Sequence, residues 1–240
     1  MNKPLDISVD LRSLFVQLGI GPNDLILVHY HPILDELLLG PAQLIDELSK
    51  YLNEGTLCSY QVMNSYVKAE VADLALRDRF IKIQDVFKTK RYLKAQYHPV
   101  LLAMDRLQGR LFHENEMVVF CSWGHDSRYL NSLVGHDFLF GQDSPFRGLY
   151  DLKAKILFFN EDYPALHELK YGYVFDSQQP IQKVATRFDG KASDYLDYLE
   201  EPEKYRWAIE KTEKKKTIVS GSMVATVVDF QQAAVNLMTL

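Results

Sequence analysis

The sequence predicts a layered α/β domain, and three observations carry that class. Helical and strand patterns alternate over residues 11–61. The strand-like segments are short and continuously apolar, as strands covered on both faces must be. Composition agrees: 47% of the 240 residues are hydrophobic, 25% charged and 12% aromatic. That chain can bury a large core without metals or disulfides. At ~100–200 residues per domain, the expectation is a single domain over residues 1–240.

Leu11, Leu14, Phe15 and Leu18 recur at i, i+3, i+4 and i+7 and Gly19 follows, which predicts an amphipathic helix and its stop. Leu25 to His31 (LILVHYH), bounded by Asn23-Asp24 and Pro32, reads as a buried strand. Pro41 opens a second helix with Leu44, Ile45, Leu48 and Leu52 inward and Asn53 and Gly55 closing it. A second strand follows at Thr56–Gln61. Residues 71–88 read as a helix through Val71, Leu74, Phe80, Ile83 and Phe87. Met117–Trp123 and Lys155–Asn160 are further buried strands. Tyr171–Phe175 and Ile181–Arg187 look β-rich, the first through its alternating aromatics. The dense mixed charges of residues 198–216 predict a solvated helix or loop. Met223, Val227, Phe230, Ala234 and Leu237 form one helical stripe to the end. No repeat or low-complexity linker interrupts the chain.

Charge narrows the partners. Twenty-seven Lys+Arg against 32 Asp+Glu give a net charge of −5, without the basic footprint that general nucleic-acid binding requires. A local basic patch for a small phosphorylated ligand stays compatible. Cys58 and Cys121 sit in apolar runs with no zinc spacing, as buried thiols of a reducing compartment do. The start carries no apolar leader, and no run approaches the ~20 residues of a membrane span. The expectation is a cytoplasmic protein with neither nucleic-acid nor membrane partners; a homodimer is compatible.

Seven histidines are the first candidates for chemistry, because imidazole titrates near neutrality. His29-Tyr30-His31 lies at the C-terminal end of the first strand, where α/β proteins place ligands. Such an H-x-H can put two imidazoles on one metal. A metal-dependent hydrolase would need more ligands at later strand ends, which four or five irregularly spaced strands do not supply. His98-Pro99 follows a basic-aromatic stretch containing Lys90 and Arg91, suited to a phosphate or nucleotide. Ser144 and Pro145 read as the N-cap and first residue of a helix, whose N–H groups can face an anion. His167 follows the KILFFN strand, with Glu161, Asp162 and Glu168 near enough in sequence to orient an imidazole and raise its basicity. No G-x-S-x-G, Walker A, G-x-G-x-x-G or H-E-x-x-H motif occurs.

Taken in order, six segments resemble the aminoglycoside 3-N-acetyltransferase family, whose antibiotic N-acetyltransferase fold is unrelated to GNAT enzymes. LFVQLGIGPNDLILVH (Leu14 to His29) is similar to that family's opening helix, "LGI", "GD" and strand ending in "VHSS". Gly40-Pro41 with Leu44-Ile45, and Glu54-Gly55-Thr56-Leu57, match "G…VIDAL…GTL". Tyr97-His98-Pro99 matches "HP", and FGQDSPFRGLYDLKAKILFF matches "FGEGSPL.RL…G.VLLLG". Ala165-Leu166-His167 falls at "LH..AE", and IVSGSMVATVVDFQQAAVNL at the closing "G.VG.A…L…A..L".

The resemblance implies a layered α/β/α fold with a central mixed sheet. It implies transfer of an acetyl or other short acyl group from acyl-coenzyme A to an amine, without a covalent enzyme intermediate. His167 would be the base, with Glu168 or Asp162 as its carboxylate. Coenzyme A would lie against His29, Tyr30, His31, His98 and the Ser144 turn. Lys90 and Arg91, by charge rather than by a matched motif, would reach its phosphates.

Four departures bear on the acceptor. Tyr30 and His31 stand where the family has two small residues, Leu102 where it has serine, and Lys170 where it has the glutamate of "LH..AE". The segment between the second strand and "HP" is shortened. These changes point to an amino sugar or amino-sugar nucleotide rather than an antibiotic. They keep a second class open: an acyltransferase-like protein without turnover that serves as a binding or assembly partner.

Overall fold

Two apolar layers pack on opposite faces of one mixed sheet, and the alternation of side chains along each strand decides which layer a residue joins. The computed structural model describes residues 10–31, 40–62, 67–69, 97–114, 118–133, 139–160, 166–175, 181–188, 191–198, 201–221 and 223–239. The elements run α1 (Leu11–Leu18), β1 (Leu25–Tyr30), α2 (Pro41–Tyr51), β2 (Thr56–Val62), β3 (Val67–Ala69), α3 (Pro99–Met104), β4 (Leu111–Glu114) and β5 (Val118–Gly124). They continue with α4 (Ser127–Ser132), α5 (Pro145–Asp151), β6 (Lys155–Phe159) and a 3-10 helix (His167–Phe175). The chain then forms β7 (Ile181–Phe188), β8 (Lys191–Tyr198), α6 (Pro202–Glu210), β9 (Lys215–Ser220), β10 (Met223–Asp229) and α7 (Phe230–Leu237).

The main sheet has seven strands in the order β4-β5-β2-β1-β6-β10-β9. β1 pairs in parallel with β2 on one side and β6 on the other. The flanking pairs are antiparallel. The α/β class and mixed sheet expected from the sequence are therefore present. β3, β7 and β8 form a second, antiparallel sheet. On the main sheet, Ile26, Val28 and Tyr30 join Leu57 and Phe159 under α1, α2 and α3. Leu25 and Leu27 face the other way with Cys58, Tyr60 and Phe158, under α5, α6, α7 and the 3-10 helix.

Local chemistry explains the elements that match expectation. Asp10 accepts the Ser13 N–H at 3.2 Å to start α1, and Gly19, with φ 76°, ends it in the left-handed conformation. Pro41 occupies the first turn of α2. Ser144 and Pro145 open α5 at the expected positions, without a side-chain cap from Ser144.

Three expectations are corrected. Residues 171–175 belong to the 3-10 helix, not to a strand: Tyr171 and Tyr173 are buried by packing, and Gly172 lies so close to α7 that a Cβ would stand 2.6 Å from the Ala234 carbonyl oxygen. Residues 223–229 are strand β10, paired with both β6 and β9, and only Phe230–Leu237 is helical. The charged stretch is not one solvated element: α6 buries Tyr205, Ala208 and Ile209, and residues 215–220 form β9. The helix expected over residues 71–88 lies outside the described residues. No described helix is long and apolar enough to cross a membrane.

Candidate active site

Three parallel strands, β2, β1 and β6, end together, and ligands of α/β sheets bind outside such carboxyl ends. His29, near the end of β1, shares the face of Leu25 and Leu27. Its ring stacks on Phe158 of β6, with centroids 5.4 Å apart and planes at 19°. The edge of Tyr60 from β2 meets it at 89° and 5.7 Å. Two aromatic walls thus fix the imidazole plane.

The third contact is ionic. His29 Nε2 lies 2.8 Å from Oε1 of Glu168, a carboxylate with no solvent exposure. The Tyr60 hydroxyl donates a short hydrogen bond to Glu168 Oε2, and its oxygen accepts the Glu168 backbone N–H at 3.2 Å. Burial alone would push the Glu168 carboxyl up. The neighbouring His29 and the hydrogen bonds from His29, Tyr60 and the residue's own backbone outweigh it and hold the carboxyl below its usual value. An ionised carboxylate only accepts hydrogen bonds, so the contact puts a proton on His29 Nε2.

His98 closes the mouth from the other layer as the N-cap of α3. Its Nδ1 accepts the Val100 N–H at 3.4 Å, and its backbone N–H donates to Gln61 Oε1 at 2.6 Å. Burial, then the nearby His29 and His31, lower its pKa against an opposing hydrogen bond with the Tyr30 backbone. His98 is therefore held neutral.

Beyond Glu168 the same 3-10 helix carries Lys170, fully buried and paired with Asp197 of β8 at 2.7 Å. Its ammonium lies 5.3 Å from the centroid of Phe140. His167 stacks on that same ring at 6.0 Å.

Of the residues singled out from sequence, the fold brings His29, His98 and Glu168 to one mouth, with His167 on the adjoining turn. Tyr30 points to the opposite face, buried and stacked on Phe159. His31 is exposed just beyond β1. Ser144 is buried, and its hydroxyl donates to the Gly141 carbonyl at 2.6 Å instead of capping α5. Lys90, Arg91 and Asp162 lie outside the described residues. Among the described residues no group of three or more His, Cys, Asp or Glu side chains is arranged to hold a metal. Sequence reasoning passed over Tyr60 and Gln61. The available signal was a Tyr-Gln pair at the carboxyl end of a buried strand.

No family model matches the chain, and no curated protein does. Solved structures do. YokD from Bacillus subtilis superposes with a TM-score of 0.74 at 15% identity, over 95% of this chain and 95% of that one. The aminoglycoside acetyltransferase AAC(3)-IIb gives 0.74 at 13% identity, over 95% and 94%. The chain has the aminoglycoside acetyltransferase fold. AAC-IIIb, solved as a binary complex with CoASH, gives 0.66 at 16% identity, over 97% and 94%. At these identities the likeness is one of fold.

Proposed function

We propose that the protein is a coenzyme A-dependent N-acyltransferase. It would move an acetyl or other short acyl group from acyl-CoA to an amine of a small polar acceptor such as an amino sugar. The observation that carries this reading is the walled His29–Glu168–Tyr60 unit at the joint carboxyl end of β1, β2 and β6. It occurs in a fold shared with acetyltransferases, one of them solved with CoASH. The reaction needs a group to take the amine proton and donors for the thioester oxygen as it gains charge. In this reading His98, His31, the Ser144 turn, Lys90 and Arg91 serve the donor side. His167, Glu168 and Asp162 serve proton transfer, as the resemblance implies.

Lys170 favours a second reading. It occupies the place of a family carboxylate and is engaged with buried Asp197. A protein so altered would bind coenzyme A and turn nothing over. Calorimetric titration with acetyl-CoA and free CoA, followed by a thiol-release assay with amino-sugar acceptors, separates the two. Binding with turnover supports the enzyme, and binding without turnover supports the second reading. No binding up to millimolar CoA would refute both.

A further inference from the structure

A cleft of about 820 Å³ lies at the opposite end of the main sheet from His29, at the amino ends of β1 and β2. Its volume falls within the roughly 300–1,000 Å³ of small-molecule sites. Three short segments build it: Asn23 before β1, Leu52 to Gly55 between α2 and β2, and Trp123 to Asp126 at the end of β5. Backbone hydrogen bonds stitch these segments into one frame. The Glu54 N–H donates to the Pro22 carbonyl at 3.4 Å, the Thr56 N–H to the Asp24 carbonyl at 3.0 Å, and the His125 N–H to the Gly55 carbonyl at 3.0 Å. The Asp126 N–H donates to the Thr56 hydroxyl oxygen at 2.8 Å. Gly55 and Gly124 let the segments come this close. A Cβ on Gly55 would run into the carbonyl oxygens of Asp24 and Pro22, and one on Gly124 into that of Gly55. The floor is therefore bare backbone, and the side chains stand around it. A frame fixed in this way has little left to order when a ligand arrives.

We infer that this cleft is a second ligand site, for a pyranose sugar that carries no anionic group. It shares no residue with the candidate active site and requires no turnover, so it stands apart from the acyl-transfer reading.

A pyranose has a face of C–H groups and a rim of hydroxyls, each of which donates and accepts. Trp123 supplies the flat apolar surface. Its indole N–H donates to the Gln108 carbonyl at 3.0 Å, which fixes the ring while its half-buried side chain still lines the cleft. The rim supplies the hydrogen bonds. The exposed amides of Asn23 and Asn53 offer donors and acceptors, and the exposed Glu54 carboxylate accepts. None of these three side chains is hydrogen-bonded to another described residue. Asp126 instead secures the wall: its Oδ2 accepts the Thr56 hydroxyl at 3.3 Å, and its Oδ1 lies 2.9 Å from Nδ1 of the exposed His125.

Charge selects among sugars. Neither Lys nor Arg is among the described residues that line the cleft, so it offers no permanent cation to a phosphate or a carboxylate. Glu54 and Asp126 would repel either group. The carboxyl end of α2, the negative end of its dipole, opens on the same space through Leu52. Nucleotides, sugar phosphates and uronic acids are disfavoured on these grounds, whereas neutral and amino-substituted pyranoses are not.

The test reads Trp123 directly. The chain has two tryptophans, Trp123 and Trp207, so Trp207→Phe leaves Trp123 as the sole indole reporter. The probe is methyl α-glucopyranoside, which has no amine and is therefore no acceptor for acyl transfer. Each variant is first checked for folding by circular dichroism. The expected result is a saturable change in Trp123 emission with a Kd on the order of 1 mM, the scale open to about a dozen heavy atoms in an open cleft. Asn53→Ala in the same background, at an exposed position, should weaken binding by roughly tenfold, the size of one hydrogen bond. Sodium glucuronate should bind more weakly than the glucoside, also by roughly tenfold, through like-charge repulsion. An emission change that does not saturate up to ~100 mM, about a hundredfold above that Kd, overturns the inference. Binding unmoved by Asn53→Ala, or equal binding of glucuronate, overturns it too. So does a response to tetramethylammonium chloride with none to the glucoside, which would make the cleft a site for organic cations. Turnover with acyl-CoA, present or absent, alters none of these outcomes.

Discussion

Substituting Lys170 by Met tests what a buried ion pair does to this fold. Lys170 and Asp197 are 2.7 Å apart, with side-chain exposures of 0% and 3%. Methionine keeps most of the side-chain volume against Phe140 but takes the Lys170 ammonium from the buried Asp197 carboxylate. Breaking a buried pair from one side costs about 3–5 kcal/mol. For a chain of this length each kcal/mol moves Tm by roughly 2–4 °C, so the variant should melt roughly 6–20 °C below the wild type. Lys170→Met combined with Asp197→Leu removes both charges and should recover most of the loss, because an apolar pair of similar size often equals a buried ion pair. Urea unfolding is the assay, with m-values compared to keep the reference state constant. A cost below about 1 kcal/mol for Lys170→Met, or a double variant no better than the single, would refute the reasoning.

Three further outcomes follow from the same packing. Gly124→Ala should lower the unfolding free energy measured in urea by about 2 kcal/mol or more, since Gly124 has φ 107° and a Cβ there would run into the Gly55 carbonyl oxygen. Gly109→Ala, at φ 82° in open space, should cost only about 1 kcal/mol, and equal losses would refute the steric argument. Burial pushes the Cys121 thiol up to about 12 and the Cys58 thiol well above its ordinary value, so an aromatic disulfide reagent should label neither faster than the protein unfolds; rapid labelling of either would contradict their burial. His98 has its pKa lowered by folding, so its contribution to stability is complete above an unfolded value of about 6.5 and is lost as pH falls through the folded value. Glu168, also lowered, loses its contribution in the same direction but at more acid pH. Urea midpoints should therefore fall from neutral to mildly acid pH, and His98→Asn should flatten that decline.

Where local pattern and tertiary packing agree, the sequence was readable. Leu11 to Leu18, Pro41 to Leu52 and the runs at β1, β2, β5 and β6 carry one period each and fold as that period dictates. The misread segments carry two. Met223, Val227, Phe230, Ala234 and Leu237 keep helical spacing, but Met223, Ala225 and Val227 also alternate, and a turn through Gly221 at φ 61° pairs them with β9. The aromatics of residues 171–175 alternate as a strand would, yet contact with α7 at Gly172 compacts them into a 3-10 helix. In the site, the sequence pointed to His29, His98 and Glu168 individually. It could not show that Glu168 reaches His29 across 139 positions and Tyr60 across 108, because only the strand order makes them neighbours.

The 3-10 helix hangs from two anchors of different origin. Glu168 is tied to β1 and β2 of the seven-stranded sheet, and Lys170, two residues on, to β8 of the three-stranded sheet. Leu169 between them is fully buried, so little slack separates the two attachments. Only Leu169 separates the residue bonded to β8 from the carboxylate that meets His29. One short helix thus joins the two sheets, with the carboxylate that meets His29 at one end and the ammonium that meets β8 at the other.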